Sequence, residues 1–134
     1  MIRLARDIEV DGFQHTVSEL LIRHRSILDI MTKNQEATSR MNRAVAKAVT
    51  SSGCLKINAG KKASTGATLS DLRQLLDSNV SGEIRNDCRE TVEAEIGRTL
   101  FYLAALCNVL DLNLMDIVLK EEKRLKMLGI FNLS

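Results

Sequence analysis

EIGRTLFYLAALCNVLDLNL, residues 95–114, is the stretch whose reading decides the fold. Together with the residues before it, it places Ile84, Cys88, Val92, Ile96, Leu100, Leu103, Leu106 and Leu110 at intervals of three and four. That is the repeat of one helix face. Phe101, Ala104, Ala105 and Cys107 widen the apolar surface, so the long amphipathic helix predicted through Glu93–Asp111 should be buried in a bundle or a dimer. Beyond the LDLNL turn, Asn113 can cap a last helix, with Asp116 three residues on. Leu114, Ile117, Val118, Leu125 and Leu128 form its inner face and Gly129 its stop.

Working outward, the composition agrees with an all-α chain. Proline is absent, glycine is limited to seven residues in 134, and aromatic residues make up 3%, so helices packed through aliphatic side chains are expected. The length fits one domain spanning residues 1–134. A formal net charge of +2 gives no reason to expect a nucleic-acid partner. Leu100–Leu114, the most apolar stretch, is interrupted by Asn108 and Asp111 and is too short to span a bilayer, while MIRLARDIEVDGF lacks the apolar core of a signal peptide. A cytoplasmic protein without membrane contact is the expectation. Three cysteines, Cys54, Cys88 and Cys107, form no CxxC pair and read as free thiols.

Toward the N-terminus, Thr16 and Glu19 have capping-box spacing and predict a helix start near Gln14 or Thr16. Val17, Leu20, Leu21, His24, Leu28 and Met31 continue one face. The polar run Thr32–Ser39 is a candidate break, and Met41, Ala44, Val45, Ala48 and Val49 predict a second helix at about 38–51. SSGCLKINAGKKASTGA, from Ser51 to Ala67, is dense in small and polar residues with Lys56, Lys61 and Lys62, and predicts a flexible basic loop near 52–67. Thr68 and Asp71 then cap a short helix carrying Leu69, Leu72, Leu75 and Leu76 and ending near Asn79.

The segment EIGRTLFYLAALCNVLDLNLMDIVLKEEKR resembles the C-terminal half of MazG-like nucleotide pyrophosphohydrolases, in its order of Glu, apolar helix, LDLNL turn and charged helix. The resemblance covers about Ser39–Gly129 and is closest to the short, divergent branch. It implies an all-α MazG-like helical bundle completed by oligomerisation, as a homodimer or tetramer. In that family E-E-x-x-E and E-x-x-D motifs on two helices hold Mg²⁺ against a nucleoside triphosphate, since residues three or four apart share a helix face and Mg²⁺ prefers carboxylate and phosphate oxygens. Carried over, Glu95 takes the Glu of E-x-x-D as catalytic and metal-binding residue, and Arg98 stands at the Asp. The frame K-x-x-E-E-x-G-E-L falls on Lys47–Leu55, with Thr50, Ser51 and Cys54 at the carboxylate positions. One carboxylate of four then survives. The reading is a degraded Mg²⁺ site with a nucleotide-binding or regulatory role.

Two other functions remain open. One is an active NTP pyrophosphohydrolase using Mg²⁺ at a rearranged site of Glu90, Glu93, Glu95 and Asp111, with Glu90 joining Glu95 as metal ligand, although Glu93 and Glu95 point about 200° apart on a helix. The other is a purely structural helical assembly module. Lys61, Lys62, Arg98 and Lys123 are the candidate phosphate-binding cations, against the alternative of an ordinary solvated surface. Gly53 and Gly60-Lys61-Lys62 do not have P-loop spacing. Cys54 and Cys88 alone are too few for a zinc site, and His24 on the apolar stripe reads as a core residue.

Overall fold

The computed structural model describes residues 2–23, 25–59 and 79–129. They are mostly helical: α1 spans Ile2–Leu20, α2 Ile27–Thr50, α3 Asn86–Val109 and α4 Leu114–Leu128, with short strands β1, Lys56–Ile57, and β2, Val80–Ser81. The helix predicted over 68–79, and His24, lie outside the described residues apart from Asn79. The chain divides into two compact units, Met1–Thr38 with Ile96–Ser134, and Ser39–Glu95.

The N-terminal boundaries differ from the sequence expectation. Helix α1 starts at Ile2, well before Thr16, whose hydroxyl donates to the Gly12 carbonyl at 2.9 Å inside the helix and caps nothing. The break falls at 21–26 and not at 32–39. Two local devices set it. The Arg25 guanidinium donates to the Leu21 carbonyl near the end of α1, and the Ser26 hydroxyl accepts the Asp29 amide at 3.1 Å as the N-cap of α2. Thr32–Ser39 stays helical because the buried positions of α2 remain in phase through it: Ile30, Ala37, Ala44 and Ala48 recur at seven, seven and four residues. Leu20, Leu28 and Met31, predicted to face the core, are exposed.

In the first unit Val17, Ile30, Ala104 and Ala105 form a dry cluster, against which Leu21, Phe101, Leu106 and Leu114 pack. Complete burial of Val17 and Ile30 contributes roughly 1.5–3 kcal/mol for each side chain. Helix α3 ends in a Schellman turn. Leu112 N–H reaches the Cys107 carbonyl at 2.8 Å, Asp111 N–H reaches Asn108 at 3.3 Å, and Asp111 itself holds φ +55° where glycine is usual. The chain bends by 104° into α4. Asn113 caps that helix by accepting the Asp116 amide at 2.8 Å, and the Gly129 N–H donates to Leu125, closing it as the sequence predicts. None of the α4 side chains is fully buried, and Ile117, Val118 and Leu125 of its expected inner face are exposed.

A buried Gln14 ties this corner together. Its Nε2 donates to Asn108 Oδ1 at 2.9 Å and to the Leu112 carbonyl at 2.8 Å, while its Oε1 accepts the Leu114 amide at 2.8 Å. One side chain thus satisfies the turn after α3 and a first-turn amide of α4, groups that helix geometry leaves unpaired.

In the second unit the end of α2 is closed by the Ser51 and Ser52 amides, both donating to Lys47, after which Gly53 at φ +65° redirects the chain. The predicted loop is therefore partly ordered: Cys54 is buried, Leu55 N–H bonds Ala48, and β1 pairs antiparallel with β2, Lys56 opposite Ser81 and Ile57 opposite Val80. Residues 60–67 of that loop lie outside the described residues. No single helix among the described residues is long and apolar enough to cross a membrane.

Candidate functional site

Glu95 lies on α3 with its side chain only 14% exposed, and its Oε2 faces Arg40 Nε of α2 at 3.5 Å. The partner comes from a distant part of the sequence, and no local pattern marks it. A guanidinium is charged at every accessible pH, so the two make an ion pair whose arginine side is half exposed. Glu90 and Glu93 on the same helix are exposed. Five residues separate Glu90 from Glu95, which places them roughly 140° apart around the axis, too far to grip one ion together. Asp111 is engaged in the turn that closes α3.

Among the described residues no group of three or more His, Cys, Asp or Glu side chains converges on a point. One paired carboxylate does not fit Mg²⁺, which dehydrates reluctantly and demands octahedral oxygen donors.

Of the candidate phosphate ligands, Arg98 and Lys123 stand on different helices. Arg98 is exposed on α3, and Lys123 is exposed on α4 beside a surface concavity of about 480 Å³, lined there by Leu119, Glu122, Lys126 and Met127. Lys126 of that hollow is paired with Glu122 at 2.6 Å. Arg124 pairs with Glu121, and this hydrogen bond holds the Glu121 carboxyl below its ordinary value. Lys61 and Lys62 lie outside the described residues.

Two cysteines far apart in the sequence meet in the second unit. Cys54 Sγ and Cys88 Sγ lie 2.7 Å apart, buried with Ala48 and flanked by Leu55 and Ile84. Cys54 sits just past the end of α2 and Cys88 in the first turn of α3; Arg85 donates to the Ser52 carbonyl at 2.6 Å and joins the two ends. Gly82, at φ +92°, makes the approach possible, because a Cβ there would lie 2.6 Å from the Cys54 carbonyl oxygen. The hydrogen bond with Cys88, helped by Arg85, lowers the Cys54 thiol from its ordinary value, and the same bond raises Cys88. Cys107, buried elsewhere on α3, is raised by desolvation. Spacing alone gives no sign of the Cys54–Cys88 contact, since neither residue belongs to a local motif.

Comparison with protein-family models, with curated proteins and with solved structures finds no match to this chain.

Proposed function

We propose that the chain is a MazG-like helical protein with a degraded metal site, acting in nucleotide binding or regulation and not in pyrophosphate release. The observation that carries this reading is the Arg40–Glu95 ion pair. Of the four carboxylates such chemistry uses, Glu95 is the one the resemblance retains, and its charge is already answered by a guanidinium. Two-metal or metal–triphosphate chemistry needs several oxygen ligands around each ion. A triphosphate can instead be met by cations alone; Arg98 and Lys123 are the candidates among the described residues, and Lys61 and Lys62 are candidates from the sequence alone.

The test is a panel of NTPs and dNTPs with Mg²⁺ or Mn²⁺, read for pyrophosphate, beside calorimetric titration of the same nucleotides in EDTA. The expected result is no release above buffer together with metal-independent binding that Lys123→Ala weakens. Robust pyrophosphate release refutes the loss of catalysis, and absence of binding by every nucleotide refutes the nucleotide role.

A second reading, a helical assembly module, is favoured by a separate observation. Phe101, Ala104 and Ala105 of α3 meet the core, while Leu100, Leu103 and Leu110 line another side of the same helix and are 45%, 37% and 52% exposed. With Ile117 and Val118 of α4 they leave apolar surface of the kind that self-association covers. A homodimer or tetramer is the assembly proposed. Light scattering that finds a monodisperse monomer at working concentration removes this reading.

A further inference from the structure

The geometry points to Cys54 and Cys88 as a reversible dithiol–disulfide couple, a modification site independent of any nucleotide role. Their sulfur atoms, 2.7 Å apart, need to close by under an ångström to reach the disulfide bond length of about 2.05 Å. The backbone holds them there from both sides. Leu55 N–H on Ala48, Gly53 at φ +65° and the close pass of Gly82 fix Cys54, and the first turn of α3 fixes Cys88. No rearrangement of helices is required.

With a low-molecular-weight disulfide as oxidant, the surroundings of the pair set the order of reaction. Cys54 is itself only 8% exposed, so the oxidant reaches it through local opening of the irregular chain at exposed Ser51, Ser52 and Gly53, where the positive charge of Arg85 is nearby. Its thiolate attacks one sulfur of the oxidant RSSR, forming Cys54–S–SR and releasing RS⁻. Cys88, already in contact, then attacks Cys54 Sγ and expels the second RS⁻. The two protons lost by the cysteines are taken up by the two thiolates. The balance is two cysteine thiols plus RSSR giving one intramolecular disulfide plus two RSH; the cysteines lose two electrons and the oxidant gains them. The bond would link the end of α2 to the start of α3, enclosing the whole segment between residues 54 and 88.

The full-length chain is equilibrated with excess oxidised glutathione, denatured, labelled with maleimide and digested with trypsin without reductant. Labelled cysteines should fall from three to one, the one being Cys107. The peptides 48–56 and 86–89 should appear joined, and dithiothreitol should separate them. Cys107→Ser should leave that joined pair unchanged, whereas Cys54→Ser should replace it with a glutathione adduct or a free thiol at Cys88. Separate glutathione adducts on both cysteines of the wild-type chain, three labelled thiols after oxidation, or a bond to Cys107 would each overturn the inference.

Discussion

Replacing Gln14 with Leu isolates the contribution of the polar lock at the α3–α4 corner. The substitution keeps most of the volume of a side chain that is 8% exposed, yet it removes both donors to Asn108 Oδ1 and Leu112 O and the acceptor for Leu114 N–H. A dry polar group stripped of its partner costs about 1–3 kcal/mol. Here the three partners are only partly buried, so the lower end applies, about 1 kcal/mol for each group and about 3 kcal/mol in sum. Added apolar burial by Leu offsets up to about 1 kcal/mol of this, leaving a net loss of about 2–3 kcal/mol. Urea unfolding followed by circular dichroism at one fixed protein concentration reads it directly. With a slope of roughly 1.5 kcal/mol/M, the midpoint should fall by about 1.3–2 M. Asn108→Ala in the Gln14→Leu background should then cost less than it does alone, because the Gln14 Nε2–Asn108 Oδ1 bond is already gone, while the bond from Asn108 Nδ2 to the Gln14 main-chain carbonyl is present in both backgrounds. A midpoint shift below about 0.3 M, or strict additivity of the two substitutions, would refute the role given to this network.

Three further outcomes follow from backbone and cross-link geometry. Gly82→Ala combines a left-handed φ with a Cβ placed 2.6 Å from the Cys54 carbonyl, and should lower stability by about 2–4 kcal/mol in the same unfolding assay. Asp111→Gly should instead raise stability by about 0.5–1 kcal/mol, since the turn already holds φ +55° at that position; a loss would mean that the Asp111 side chain contributes more than its backbone strain costs. Formation of the Cys54–Cys88 disulfide closes a loop with a sequence separation of 34 residues, so the oxidised chain should unfold with about 3–4 kcal/mol more free energy than the reduced one, by the chain-entropy relation. An oxidised chain of equal or lower stability would show that the bond distorts the native state.

Local signals in this sequence carry far and non-local ones do not. Asn113 with Asp116 and Gly129 lie within a turn of the features they specify, and the chain builds them as read. The repeat through α3 correctly marks a helix, but the helix begins at Asn86 and Ile96, Leu100, Leu103 and Leu110 of the predicted face are exposed, while Phe101, Ala104 and Ala105 meet the core. The break at 21–26 is hidden because Val17, Leu21, Leu28 and Met31 keep helical phase across it, although Leu28 and Met31 are exposed. Its marker, Ser26 three residues before Asp29, is a capping signal that the apolar stripe overrides. The continuity of α2 through the polar run rests on Ala37, whose small side chain weighs little in a hydropathy pattern yet is buried in phase with Ile30 and with the Ala44 and Ala48 that the pattern does show. At the candidate site Glu95 is legible from a motif. Its partner Arg40 is not, and neither is the meeting of Cys54 with Cys88, because pairs brought together by tertiary structure leave no spacing to read.

The proposed function turns on the Glu95 carboxylate being committed to Arg40 and not holding a divalent ion. Titration of the full chain with Mn²⁺, followed by the electron paramagnetic resonance signal of the free ion, tests this most directly. The expected result is a free-ion signal that is the same with and without protein at sub-millimolar concentrations, in both the wild-type chain and Glu95→Gln. A stoichiometric loss of signal in the wild-type chain that Glu95→Gln abolishes would contradict it.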